Sequence, residues 1–399
     1  MNLGLEPQVS RAWPRLRGRR SSIAAQFGED RADLLHWALT TADPLADAVV
    51  EEIHERGRGV RADLARGIAE GLDSLADPSP AVAALLAQAE SLPDYVDDKL
   101  LEEGPLPQYT MPNAVHAISL SAGALVRVYE SPSIATVLAL TGRLVDGAGR
   151  RLEETGKWVR TATLPGAMRR GADGYVATLQ VRMLHAHMRR LARSRGYDEP
   201  AYGAPINQVD LARTWMDFTI TSYRAEAVMG FDLNAAEQDS LYRYWWYIAH
   251  VLGVDARLVE GIANNDQAQR VDDLLQAVTG PPAPESSALA HATLTAIAGT
   301  LHEIVSVPEG MALRAMYALA RLFHGNTTAD ELGLPRAAAA EHLLVPAFRA
   351  IRERRSRLRR NADAWHREQF AHLDEARTAT SDTSGTSEAT GYEHEAAVS

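Results

Sequence analysis

The sequence predicts an all-α fold, and three observations lead to that prediction. Ala, Leu, Arg and Glu dominate nearly every segment, alternating runs of β-branched residues are scarce, and Pro or Gly clusters recur where helices would stop. With 399 residues, of which 46% are hydrophobic, the chain can bury a large core. We expect a single large helical domain over residues 31–372, preceded by a basic N-terminal arm (1–30) and followed by a disordered acidic tail (373–399).

Apolar periodicity and capping residues predict the individual helices. Asp43-Pro44 is an N-cap followed by Pro at the first helical position, and Asn207 with Asp210 opens another helix. The Pro-rich stretch 281–287 is interpreted as a loop within the domain. The predicted helices span residues 33–40, 44–55, 60–75, 80–89, 113–128, 133–144, 149–159, 174–193, 209–229, 235–252, 266–278, 288–305, 311–322 and 337–371.

The composition excludes several classes of site and location. The chain has no Cys, which excludes disulfides, thiolate ligation of haem, Cys-held iron–sulfur clusters and Cys-based zinc sites. Any metal must therefore be held by His or carboxylate. No apolar run approaches the length of a membrane span, and no apolar stretch follows the twin arginines Arg19-Arg20 as an export signal would require. We expect a cytoplasmic protein.

A basic run over residues 349–360 raises the question of nucleic acid or acidic lipid as a partner. The run lacks interleaved aromatic residues or glycines, and an acidic tail follows it. Much of the net charge of −11 is local to that tail, which has six acidic residues and one Arg. We interpret the run as a solvated terminal helix and expect no nucleic-acid partner.

Three side chains of one predicted helix form the most informative pattern. Arg182, His185 and Arg189 lie on one narrow stripe because of their helical spacing. The rest of this helix is largely apolar, which is typical of a buried helix. Two buried arginines and a histidine need an anionic or metallic partner, and a haem supplies both an iron and two propionates. On this interpretation His185 is an axial ligand.

The same stripe has a second, purely structural interpretation. A buried histidine flanked by arginines can close a network with Asp or Glu from neighbouring helices. His187, two residues further on, lies nearly opposite the arginine stripe and is interpreted as an ordinary core or surface histidine.

A second set of polar residues occurs on two other predicted helices. Arg151 and Thr155 are four residues apart on one helical face, and Thr214 lies in a helix that also carries Phe218. Neither pair is specific alone, because this spacing is common on ordinary helices.

Taken together and in this order, the two sets resemble the rubber-oxygenase catalytic-domain family. That family includes the latex-clearing proteins and the oxygenases that cleave isoprenoid side chains in fungal mycophenolate biosynthesis. The resemblance covers roughly residues 33–333. Further similar pieces are Asp43-Pro44-Leu45-Ala46-Asp47, Pro93-Asp94-Tyr95-Val96-Asp97, Leu140-Thr141-Gly142-Arg143-Leu144 and the stretch from Tyr244 to Gly253.

The resemblance implies an all-α fold with a globin-like core around haem b. It implies that His185 is the proximal iron ligand and that Arg182 and Arg189 bind the haem propionates. A third propionate arginine from late in the domain corresponds to Arg314, with Arg321 as the alternative. Dioxygen, or else peroxide, is the implied co-substrate.

The resemblance also assigns polar residues to the haem pocket. Arg151, Thr155 and Thr214 match residues that influence oxygen binding and substrate access. Glu154 stands where well-known members have a Lys that can occupy the sixth iron position, unless Lys157, one turn away, is its counterpart. Glu130 is the nearest match to the family's proposed catalytic glutamate, which is upstream of this helix.

These expectations lead to a haem-dependent oxygenase. A cytoplasmic enzyme cannot act on a solid extracellular polymer, so we expect an apolar small molecule entering a helix-lined pocket. Oxidative cleavage of a carbon–carbon double bond of an isoprenoid-like substrate is the first expectation. Hydroxylation, dehydrogenation and peroxide-driven chemistry stay open because Glu154 replaces the Lys. A helical protein that binds haem or another ligand without turnover is the non-enzymatic alternative.

Overall fold

A helix of 22 residues carries the Arg182/His185/Arg189 stripe. In the computed structural model, residues 12–142, 147–305 and 307–384 are described, and none of them lies in a β-strand. The predicted all-α fold, a single helical domain, is confirmed. None of the helices in the described part of the chain reaches the length and apolar character that a membrane crossing requires.

The helices follow one another with short connections. They are α1 (Arg20–Phe27), α2 (Glu29–Thr40), α3 (Pro44–Arg56), α4 (Arg58–Glu70), α5 (Pro80–Glu90), α6 (Asp98–Glu103), α7 (Asn113–Ile118), α8 (Val126–Val128), α9 (Pro132–Leu140), α10 (Ala148–Ala162), α11 (Asp173–Ser194), α12 (Glu199–Tyr202), α13 (Gln208–Met216), α14 (Ser222–Val228), α15 (Ala235–Leu252), α16 (Ala256–Val259), α17 (Asn265–Thr279), α18 (Pro284–Val305), α19 (Glu309–Glu331), α20 (Ala338–Leu358) and α21 (Ala362–Ser384). Short 3₁₀ turns cover Leu72–Ser74 and Leu106–Thr110.

Two of the predicted helices contain a π-helical segment that the sequence did not indicate. Ser119–Leu125 joins α7 to α8, and Asp217–Thr221 joins α13 to α14. The two segments pack against each other. A π turn changes the angular position of the side chains beyond it, and such turns are common at functional sites.

The caps predicted from sequence are present. The Asp43 side chain accepts a hydrogen bond from the main-chain N–H of Ala46 at the start of α3, and Asn207 caps α13 by accepting from Asp210 N. At the start of α15, Asn234 and Glu237 form a reciprocal capping box. These local signals fix where the helices begin.

Helix α11 is the scaffold of the candidate site. It packs against α3, α9, α10 and α15. Its residues Tyr175, Leu179 and Met183 belong to the largest hydrophobic core, which also includes α2, α5 and α13. Burial of such side chains contributes about 1.5–3 kcal/mol each, so the position of α11 is strongly determined.

Several predicted boundaries are wrong. The helix predicted over 337–371 is interrupted between Leu358 and Ala362, and α18 begins at Pro284, inside the stretch interpreted as a loop. Helix α9 ends at Leu140; of the similar piece Leu140–Leu144, Arg143 and Leu144 lie outside the described residues. Helix α19 runs on past residue 322 through a kink at Gly325, whose φ of 78° suits a glycine.

The two ends of the chain differ from expectation where they are described. Arg17, in the expected solvated arm, is 5% exposed and contacts the body of the protein. Residues 373–384, expected to be disordered, continue α21, because Leu373 and Ala376 pack against Tyr109. Residues 1–11 and 385–399 lie outside the described part.

Part of the basic run 349–360 contacts the folded body, while the rest is exposed to solvent. The Arg355 guanidinium lies over the rings of Phe231 and Trp365, at 4.5 and 4.9 Å from their centroids. Arg359 pairs with Glu237 at 2.7 Å. Such contacts give part of the run a structural role.

Candidate functional site

Four helices each present one face to a shared cavity of about 230 Å³. In three of them the lining residues follow the spacing i, i+3, i+4, i+7 of a single helical face. The faces are Ile134, Val137, Leu138 and Thr141 from α9 and its end; Arg151, Glu154, Thr155 and Trp158 from α10; Val181, Leu184, His185 and Met188 from α11; and Asp210, Leu211, Thr214, Trp215 and Phe218 from α13 and the π segment after it. Most of the lining is apolar, which suits an apolar ligand.

His185 is on the cavity wall. It projects from the middle of α11, where Val181 and Met188 lie one turn before and one turn after it on the same face. His187 does not line the cavity; burial first, and then the charges of Arg61 and Arg190, lower the pKa of its imidazole. Of the two histidines, the structure places in the cavity the one that the sequence selected.

The polar residues predicted on α10 also reach the cavity. Arg151, Glu154 and Thr155 line it together. Glu154 accepts a hydrogen bond from Arg150 Nε at 2.7 Å, and its side chain is 19% exposed. Of Glu154 and Lys157, only Glu154 lines the cavity.

Thr214 lines the cavity from α13, but its hydroxyl proton is already used. Thr214 Oγ1 donates to the main-chain carbonyl of Asp210 at 2.8 Å. It therefore offers the cavity a hydrogen-bond acceptor.

Aromatic rings close one side of the cavity. Phe218 and Trp245 are stacked, with centroids 5.9 Å apart and an interplanar angle of 8°. Trp158 meets Phe218 edge-on at 5.6 Å. Trp215 fixes this cluster by donating its indole N–H to the Trp245 carbonyl at 2.9 Å. Such packed rings give this side of the cavity an apolar wall.

Arg182 and Arg189 do not line the cavity, contrary to the expectation for propionate ligands. Arg182 is 2% exposed and forms a bidentate ion pair with Asp43, with Nε–Oδ2 at 2.6 Å and Nη2–Oδ1 at 3.0 Å. Arg189 is 1% exposed and pairs with Asp47 at 2.5 Å. The arginine stripe thus faces the first turn of α3, and the structural interpretation of these two residues fits the contacts.

Charge stabilisation differs between the two carboxylates of this network. Burial raises the pKa of Asp43, but the charge and hydrogen bonds of Arg182 outweigh burial, so the net shift is downward. For Asp47 burial dominates over its pairing with Arg189, and the pKa is raised. Arg182 is therefore held by the more strongly stabilised anion.

The other arginine and glutamate candidates are also outside the cavity. Arg314 is exposed on α19. Arg321 is buried but donates to the Leu334 carbonyl and to Asp330, which fastens the end of α19. Glu130 pairs with Arg213 at 2.8 Å behind the cavity wall. None of these three lines the cavity.

The donor set limits how a metal could be held. Among the described residues there is no group of three or more His, Asp or Glu that could hold a metal ion. A metal bound by His185 would therefore have at most two protein ligands of these types, with the remaining ligands supplied by a macrocycle or by solvent.

Sequence reasoning missed some lining residues. Asp210 entered only as a cap, and Trp158, Trp215 and Trp245 were not singled out. The signal was present, because Trp158 continues the face of Arg151 and Thr155 by one turn.

Comparison with known proteins identifies a family and a similar fold. The model of the family described as "ER-bound oxygenase mpaB/B'/Rubber oxygenase, catalytic domain" matches residues 111–353. A solved structure of latex clearing protein LCP in the closed state is similar, with a TM-score of 0.63 and 20% sequence identity over 85% of this chain and 90% of that one. No curated protein matches the sequence.

The matched segment contains α9, α10, α11 and α13, which supply the four faces of the cavity. The chain belongs to the ER-bound oxygenase mpaB/B' and rubber oxygenase catalytic-domain family.

Proposed function

We propose that this protein is a haem b-dependent oxygenase that uses dioxygen to oxidise an apolar small molecule held in the cavity. The observation that carries the proposal is the position of His185 on the apolar wall, facing a space that Arg151, Glu154, Thr155 and Thr214 also line. Membership of an oxygenase family supports the reaction class.

The residues at the cavity fit a haem in two respects. A single histidine on an apolar wall suits a metal whose equatorial ligands come from a porphyrin. Arg151 brings a guanidinium to the lining, and guanidinium groups suit carboxylates. Arg182, Arg189 and Arg314 are not proposed as propionate ligands, because they do not line the cavity.

A bound haem would supply the iron that activates dioxygen. His185 would hold the iron, and Val181 and Met188 give the same face of α11 an apolar surface. The Phe218–Trp245 stack excludes water from the substrate. Glu154 places a carboxylate, steadied by Arg150, where a proton can be accepted or returned.

An absorption titration with haem tests the cofactor assignment. We expect a strong Soret band in the wild type, a severe change in His185→Ala, and little change in His187→Ala. His187 is a matched control because it lies on the same helix but outside the cavity. A spectrum that His187→Ala alters and His185→Ala spares would overturn the ligand assignment.

Turnover with a short isoprenoid alkene under isotopically labelled dioxygen tests the reaction. Cleavage of the double bond yields two carbonyl fragments, each carrying one labelled oxygen, whereas hydroxylation leaves the carbon skeleton intact with one. Haem-loaded protein that takes up no oxygen with any alkene would instead identify a binding protein.

A further inference from the structure

The carboxylate of Asp210 has two oxygens in very different situations. Asp210 lies in the first turn of α13, is 1% exposed and belongs to the cavity lining. Its Oδ1 accepts hydrogen bonds from Arg17 Nη2 at 2.9 Å and from Ser133 Oγ at 2.6 Å. Its Oδ2 is buried, and no donor among the described residues bonds to it. The fold therefore uses only one oxygen of this carboxylate.

Arg17 fixes the carboxylate firmly. Its side chain is fully buried and also donates to the Tyr202 carbonyl at 2.9 Å and to Ser133 Oγ at 2.8 Å. A fixed anion keeps its second oxygen in one place, which makes it a specific acceptor.

A buried carboxylate oxygen without a donor is costly, and such groups usually have a partner that completes them. Of the lining residues, Leu211 and Val137 are apolar and the Thr214 hydroxyl already donates to a main-chain carbonyl, so these three supply no donor. A molecule that enters the cavity can supply the missing donor.

The charges around Asp210 favour a neutral donor. Arg17 pairs with the Asp210 carboxylate, and the lining carries Arg151 as well as the carboxylate of Glu154, so no net negative charge is left to attract a positively charged ligand. An ammonium group would also lose more hydration than a hydroxyl on entering an apolar cavity.

We propose that Asp210 Oδ2 binds a hydroxyl group of the cavity's ligand, so that the substrate is an apolar alcohol. The proposal rests on the proposed function only in taking this cavity as the substrate site, and it does not depend on the cofactor.

Two isomeric probes test this on the full-length chain without added haem. n-Octanol and heptyl methyl ether contain the same atoms, but only the alcohol has an O–H donor. Trp158, Trp215 and Trp245 line the cavity, so their fluorescence reports binding. We expect the alcohol to bind at least about tenfold more tightly, as one hydrogen bond to a charged acceptor allows.

Two variants locate the preference. Asp210→Asn replaces the carboxylate acceptor with an amide. We expect it to reduce the ratio of the affinities for the alcohol and the ether to below about threefold. Asp217→Asn is the matched control. Asp217 is also buried, its Oδ1 is paired with an arginine, and its Oδ2 has no donor among the described residues. Because Asp217 does not line the cavity, the Asp217→Asn variant should keep the wild-type ratio of the two affinities.

Equal affinity for the two probes in the wild type would overturn the proposal, even if Asp210→Asn fails to fold. An unchanged ratio in a folded Asp210→Asn would do the same. If neither probe binds, the hydroxyl site and the apolar substrate cavity both fail. If the alcohol preference is present but haem gives no Soret band, only the cofactor assignment fails.

Discussion

Arg182 and Asp43 form a buried bidentate ion pair across 139 residues of sequence, with both side chains less than 5% exposed. Arg182 Nη1 also donates to Gln88 Oε1 and to the Val251 carbonyl. Helices α3, α5, α11 and α15 thus meet at one guanidinium. This arginine holds the helix that carries His185 in place.

Removing the Asp43 carboxylate should destabilise the protein strongly. Asp43→Ala leaves the Arg182 charge buried without its main partner and also removes the N-cap of α3. We expect the free energy of unfolding to fall by about 3–5 kcal/mol, measured by urea denaturation.

The exposed pair Arg66–Glu70 is the control for that measurement. Its side chains are 58% and 60% exposed, so Arg66→Ala should cost less than about 1 kcal/mol. Equal losses in the two variants would show that the buried pair does not anchor α11.

Arg17 should be as important as a core residue although it precedes the first helix. Arg17→Ala leaves Asp210 buried without its cation, and a loss of about 3–5 kcal/mol is expected on thermal or chemical unfolding. Arg15, two residues earlier, pairs with Asp198 with both side chains about half exposed, and Arg15→Ala should be close to neutral. A neutral Arg17→Ala would mean that the N-terminal segment is dispensable.

The buried carboxyl of Asp217 should make stability fall as pH rises. Burial, opposed by Arg127 and Arg213, raises its pKa from 3.8 to about 7. The folded state therefore binds more protons than the unfolded state between these values, and stability decreases across that window. Asn resembles the protonated form, so Asp217→Asn should gain at least about 1 kcal/mol relative to wild type between pH 5 and pH 8.

The carboxyl of Glu130 should make stability rise with pH, the opposite of Asp217. Burial raises the pKa of its carboxyl, but Arg213 and Arg127 outweigh burial and lower it below 4.5. Its contribution is present above that value and is lost as the pH falls through the folded pKa. Glu130→Gln should therefore flatten the acid side of the stability profile, measured as the free energy of unfolding at several pH values. A steeper acid side would contradict the assignment.

Phe218 should limit the size of the ligand. Phe218→Ala removes one ring of the stacked pair with Trp245 and enlarges the cavity. We expect a loss of about 3 kcal/mol in stability and binding of n-alkanols several methylene groups longer than the wild type accepts, followed by tryptophan fluorescence. Phe370, which is 66% exposed, provides the control, with an effect within about 0.5 kcal/mol. An unchanged length limit would place the end of the cavity elsewhere.

Local signals in the chain were enough to predict the helical fold, whereas the polar residues of the cavity were assigned by the family resemblance. Caps such as Asp43-Pro44 are local, because the side chain and the N–H that it accepts from are three residues apart. The face containing Arg151 and Thr155 is likewise set by the 3.6-residue repeat alone. His185 was selected over His187 because the two side chains point in different directions from one helix.

Which residues each helical face contacts was decided by long-range packing. Arg182 and His185 differ by only about 60° around the axis of α11, yet one faces Asp43 and the other the cavity. The same limit explains why Arg314 is exposed and why Asp210 was seen only as a cap. Helical periodicity fixes the angle of a side chain about its own axis, whereas its partner comes from a segment far away in sequence whose position depends on the packing of the whole core.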